Sequence, residues 1–131
     1  MKKLILAVFL LSVVSAQAQT TVINPTKVEF TPSADHNVLI DGQAVVAKYE
    51  IRYFVQGSST SIAVVNLGKP TPVSNLISTA LDITVVPLSS TVKYVTSVAA
   101  MGPTGEGVSS LSNPFMRVGP PAIPGNPIVN K

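Results

Sequence analysis

Two runs of period-two alternation restrict what this chain can fold into. From residue 45 to 55, Ala47, Tyr49, Ile51, Tyr53 and Val55 fall on one side, and Lys48, Glu50, Arg52 and Phe54 on the other. Helical spacing would scatter these charges around every face, whereas a strand sends successive side chains to opposite faces. The second run sets Val92, Tyr94, Thr96, Val98 and Ala100 against Lys93, Val95, Ser97, Ala99 and Met101. The first of these sets is the expected inner face. It is followed by Gly102-Pro103-Thr104-Gly105-Glu106-Gly107 and a Ser-rich segment ending near Phe115, so residues 88–115 read as a loop, a strand, a glycine-bounded turn and a second strand.

Ahead of these strands, Lys2 and Lys3 precede an apolar run over residues 4–14 and an Ala16-Gln17-Ala18 site. That is the pattern of a secretory signal peptide cleaved after Ala18, with an apolar run too short to span a bilayer. No cysteine follows it for lipid anchoring, and no later stretch is apolar enough to act as a membrane anchor, so the expected product is secreted or periplasmic. The remaining 113 residues suit one domain, taken as residues 19–118, followed by a tail over 119–131. Setting aside Lys2 and Lys3 leaves seven basic against six acidic residues, a net charge of +1 and no electrostatic footprint for nucleic acid. Without cysteine, stability must come from apolar burial and backbone pairing.

Along the chain, residues 20–26 offer half an edge strand at most, since Pro25 removes a donor. Val28 and Phe30 alternate with polar neighbours as a short strand. Residues 31–43 carry turn chemistry, and two readings stay open there: a loop, or a small hairpin pairing residues 38–40 with 44–46 across Asp41-Gly42. Residues 61–67 read as a strand with mixed faces at a sheet edge. Residues 76–86 read as a further strand through Ile77, Leu81, Ile83 and Val85, closed by Pro87.

Leu88 lies six residues before Tyr94, and Tyr94 opens a strand carrying Val98, Ala99 and Ala100 before Gly105 and Ser109. Val46 lies three residues before Tyr49 and the alternating run to Tyr53. Together these resemble the corresponding strands of a fibronectin type III domain, over about residues 27–115. The resemblance implies an all-β, immunoglobulin-like sandwich of about seven strands in two antiparallel sheets. It also implies a structural corner at Leu88 and Tyr94, with the Tyr94 hydroxyl returned to the backbone of the preceding loop; an ordinary half-buried strand tyrosine is the alternative. Phe30 stands where such domains usually carry a buried Trp. The turn at Gly102, Pro103, Thr104, Gly105 and Glu106 is the candidate contact loop, and it lacks the Arg-Gly-Asp tripeptide through which some of these domains bind integrins.

The chemistry points away from catalysis. His36 is the single histidine, there is no cysteine, no serine sits in a Gly-x-Ser-x-Gly elbow, and nothing pairs two carboxylates. Asp35, His36, Asn37 and Asp41 are the one group of potential metal ligands, but their spacing fits neither zinc nor calcium, and a solvated polar loop is expected. No cofactor is implied. Trp is absent and all three tyrosines fall at inward positions, which leaves no aromatic platform for carbohydrate. Two functions remain: an interaction or adhesion module with a protein partner, or a structural subunit of an appendage whose chains exchange strands. The Pro-rich tail bears on the choice, because Ile123, Ile128 and Val129 are apolar anchors for laying it along a sheet edge of its own or a neighbouring domain. A frayed, solvated tail is the expected state, since four prolines remove four ladder donors.

Overall fold

The computed structural model describes residues 19–131; the signal-peptide reading of residues 1–18 lies outside them. The described residues form an all-β structure without a helix. Its elements are β1 (Val22–Ile23), β2 (Lys27–Phe30), β3 (Leu39–Ile40), β4 (Gln43–Ala44), β5 (Lys48–Val55), β6 (Ser61–Gly68), β7 (Ile77–Ala80), β8 (Tyr94–Gly102), β9 (Gly105–Val108) and β10 (Phe115–Met116). The largest sheet runs β1-β10-β8-β5-β6, with β9 also on β8; β2 pairs with β7, and β3 with β4. Every pairing is antiparallel except that of β1 with β10.

The β5–β8 ladder is continuous from Lys48 opposite Met101 to Val55 opposite Tyr94. It sets Tyr49, Ile51 and Tyr53 beside Val98 and Tyr94 in one buried cluster, completed by Val46, Phe115, Val86 and Ile77 of β7. Val28 and Phe30 of β2 pack against the same cluster, so the large sheet and the β2–β7 pair share a core. The Phe115 ring sits edge-on to Tyr53 at 6.4 Å and tilted to Tyr94 at 5.7 Å, and Phe30 lies 5.2 Å from Tyr49. Each such side chain contributes about 1.5–3 kcal/mol through burial, so this cluster carries most of the fold.

Three elements depart from expectation. β5 begins at Lys48 rather than Val45, because the chain bends over residues 45–47: the Ala47 amide bonds the Met101 carbonyl at 2.7 Å, Val46 turns inward and Ala47 faces solvent. β7 stops at Ala80, since the Asp82 carboxylate accepts from the Thr84 amide (2.9 Å) and hydroxyl (2.5 Å) and turns the chain out of the strand. The outer-face residues Val95, Ser97 and Ala99 of β8 are as buried as the inner ones. β8 is central, and its small outer side chains are overtopped by longer neighbours on β5 and β9.

The open choice over residues 31–46 resolves as a hairpin, with Leu39 opposite Ala44 and Ile40 opposite Gln43. Asp41 and Gly42 have φ of 50° and 78°, the two left-handed positions that a two-residue hairpin turn needs.

Candidate functional site

The contact loop is the tip of the β8–β9 hairpin. Gly102 pairs with Gly105, and Pro103 and Thr104 form the exposed turn. Gly102 is required by close approach: a Cβ there would stand 1.8 Å from the Val45 carbonyl oxygen, so the hairpin root is packed directly on the backbone leading into β5. Glu106 is committed to an ion pair, accepting from both Arg52 guanidinium nitrogens at 3.2 and 2.5 Å. Arg52 stands opposite Ser97, and Glu106 opposite Met101, so this pair crosses β8 diagonally over Ala99. The guanidinium hydrogen bonds hold the Glu106 carboxyl below its ordinary range, while Glu50 and Lys48 extend the charged row. A small residue at position 99 makes room for this strap.

The β3–β4 hairpin lies beside this turn. Ile40, Asp41, Gln43 and Val45 face Pro103 and Thr104 across a cleft of about 280 Å³. Val38, Leu39 and Ile40 are exposed in succession, Leu39 to 65%. Leu39 and Ile40 point to opposite faces of this short hairpin, so aliphatic side chains are exposed on both of its sides, Ile40 toward the cleft by the second hairpin. A larger cleft of about 470 Å³ lies between the Phe30–Asp35 side and β9, where Gly105 and Gly107 supply no side chain to close over Val98 and Ala100.

His36 belongs to the support of this end and not to a solvated loop. It is 7% exposed, and its ring stacks on Tyr49 with Nδ1 2.7 Å from the Tyr49 hydroxyl. That hydroxyl accepts from the Ser33 amide at 3.2 Å. Donation of the phenol proton to Nδ1, with the imidazole as its Nε2–H tautomer, is the arrangement that gives the hydroxyl both an acceptor and a donor. Burial, and then the positive charge of Lys69, lowers the His36 pKa. The sequence held no local signal for this, because the partner lies 13 residues away on β5. Among the described residues, no group of three or more His, Asp or Glu side chains is placed to hold a metal ion.

At the opposite end the Tyr94 hydroxyl donates to the Pro87 carbonyl at 2.9 Å. Leu88 is not beneath the ring: it is 56% exposed, and Val86 fills the core in its place. Residues 84–88 follow a turn and a bend instead of a strand, so Val86 faces inward and Leu88 outward although two residues apart in a strand would share a face. Arg117, which sequence reasoning passed over, donates to the Val86 and Thr84 carbonyls at 2.6 and 3.3 Å and clamps this loop to the end of the last strand. Ser112 is a further omission, and Ser109, read in the sequence only as part of the last-strand pattern, has a role that the pattern does not show. Between β9 and β10 the chain bulges away from β8, and these hydroxyls accept from the Val98 and Thr96 amides at 2.9 and 3.0 Å in place of backbone carbonyls.

The tail anchors do not dock on their own domain. Ile123, Ile128 and Val129 are 84–95% exposed, and the β10 edge that a tail strand would need is occupied by β1. No family model, no curated protein and no solved structure matches the chain.

Proposed function

We propose that this chain is an exported, non-catalytic module with a fibronectin type III-like sandwich fold, acting by contact with another protein through its paired hairpins. The observation that carries this reading is the succession Val38, Leu39 and Ile40, exposed on a hairpin that lies against the β8–β9 turn. Exposed aliphatics grouped in this way mark interaction surfaces more than they serve a monomer in water. Both hairpins are held from below: Gly102 packs on Val45, Arg52 grips Glu106, and Tyr49 secures the 31–37 loop through Ser33 and His36. Little conformational freedom is therefore left to lose on binding, which favours affinity.

The sandwich is supported by the core that the large sheet shares with β2–β7, and by the Tyr94–Pro87 hydrogen bond at the start of β8. Export is supported by Lys2, Lys3, the apolar run and the Ala16-x-Ala18 site. A carbohydrate platform is disfavoured because Tyr49, Tyr53 and Tyr94 are all buried.

The test is capture of exported proteins on the immobilised chain of residues 19–131, compared with a Leu39→Asp, Ile40→Asp variant of unchanged urea midpoint. Loss of a captured protein in the variant is the expected result. Equal capture by both chains overturns the assignment of the surface.

A further inference from the structure

β1 is held on β10 by a short set of bonds. The Val22 amide donates to the Pro114 carbonyl at 3.1 Å and the Asn24 amide to the Met116 carbonyl at 2.9 Å. The Asn24 carboxamide closes the strand by exchanging two bonds with Val118, Nδ2 to the carbonyl at 3.0 Å and the amide to Oδ1 at 2.8 Å. The Thr20 carbonyl accepts from Asn113 Nδ2 at 3.1 Å. The seat thus takes two extended residues, β-branched here and exposed, followed by Asn, whose carboxamide it uses. It needs Asn twice over, because Asn24 also has φ of 47°, a left-handed conformation that Asn tolerates better than most residues.

The tail holds the same series in Ile128, Val129 and Asn130. In the register of β1, Ile128 takes the place of Val22, Val129 of Ile23 and Asn130 of Asn24. The amide of Ile128 then meets Pro114, that of Asn130 meets Met116, and the Asn126 carbonyl replaces that of Thr20. Pro127 falls on Thr21, one residue before the first donating position, where the resident strand uses no N–H. The proline nearest the triplet therefore costs this pairing nothing. Val64, Val65 and Asn66 form another such series, but inside β6 and already paired with β5. The tail copy is free, its aliphatics exposed and the ordered hydrogen bonds ending at Val118.

We infer that residues 128–130 are a second copy of the β1 docking element and seat along β10 of another molecule of this chain, displacing its β1. This goes beyond the contact-module reading: it names a second copy of the chain as partner, on the β10 edge and not on the paired hairpins. Donor and acceptor surfaces differ, so the contact is head-to-tail and propagates as an open chain of molecules. The exchange conserves the backbone and carboxamide bonds, so the resident β1 competes only through its tether, at an effective concentration on the order of millimolar. Association is accordingly a property of concentrated protein.

The chain has no cysteine, so a designed pair reports the contact without background. Ile23 pairs with Met116, and Val129 takes its place in the exchange. The variant of residues 19–131 carrying Met116→Cys and Val129→Cys should give a disulfide-linked ladder under oxidation that grows with protein concentration, while Met116→Cys with Ile123→Cys should give none. Adding Asn24→Ala weakens the resident strand and should lower the concentration needed roughly tenfold, whereas adding Asn130→Ala should raise it by a similar factor. Asn130→Ala changes a residue outside the folded core, so its result stands even if Asn24→Ala impairs folding. Crosslinks confined within single molecules, equal ladders from the control pair, or ladders indifferent to Asn130→Ala overturn the inference. Such a failure leaves the contact-module reading standing, because that reading is tested at Leu39 and Ile40, which take no part in the exchange.

Discussion

Tyr49, Tyr53 and Tyr94 are each at most 2% exposed, yet their hydroxyls have two, no and one hydrogen-bond partners respectively. Substitution by Phe keeps the ring and its packing, so the change in stability reports the hydroxyl alone. Tyr49→Phe removes the partner of the half-buried Ser33 amide, which water can partly replace, and of buried His36 Nδ1; at about 1–3 kcal/mol for a buried unsatisfied group, the loss should be about 2–3 kcal/mol. Tyr94→Phe removes a single, part-buried bond to the carbonyl of Pro87, so about 1 kcal/mol is expected. Tyr53→Phe removes a buried oxygen that has no well-formed hydrogen bond, only a loose approach to the Asp82 backbone, and whose pKa is pushed up to about 12 by burial and then by the Asp82 carboxylate. That change should be neutral or stabilising by up to about 1 kcal/mol. Urea unfolding of the 19–131 chain measures all three, read as midpoint shifts at constant slope. Equal losses at the three positions, or the largest loss at Tyr53, would refute the hydrogen-bond assignment.

Gly102→Ala should cost about 3 kcal/mol, because its Cβ would strike the Val45 carbonyl, whereas Gly107→Ala, with nothing within 4 Å, should leave the melting temperature unchanged. His36 supplies a pH signature. Its folded pKa is depressed, so below the ordinary value of 6.5 the unfolded chain takes up a proton that the folded chain refuses; stability is full above that value and declines as pH falls below it. The decline should begin well above the carboxylate range and disappear in His36→Gln, as followed by urea midpoints from pH 7.5 to 5; an identical profile in both chains would contradict it.

The core was legible wherever burial follows a strict period of two. Tyr49, Ile51, Tyr53, Tyr94 and Val98 all point inward as the alternation predicts, because both faces of an eight- or nine-residue strand are fixed once its register is set. The early end of β7 was legible as well, in Asp82 and Thr84, but the apolar spacing of Ile77, Leu81, Ile83 and Val85 outweighed it. Other features depend on contacts remote in sequence. His36 reads as a polar loop residue until Tyr49 is placed beneath it. Gly102 reads as a turn glycine until Val45 is placed against it. Ser109 and Ser112 read as a polar strand until the last strand is seen to bulge, and Asn24 carries no sign of its role until Val118 lies beside it. The candidate surface was half visible: the β8–β9 turn stood out by its glycines, while the aliphatic hairpin at residues 38–44 was one of two open readings and was not connected to it.

Site-specific photocrosslinking in the producing cell tests the interaction surface most directly. A photoreactive side chain at Leu39, beside the β8–β9 turn, is compared with one at Ser90, an exposed position in the loop before β8 at the other end of the molecule. Adducts with a second protein at position 39 and none at position 90 are the predicted result. Adducts at position 90 alone, or at neither position, would contradict it.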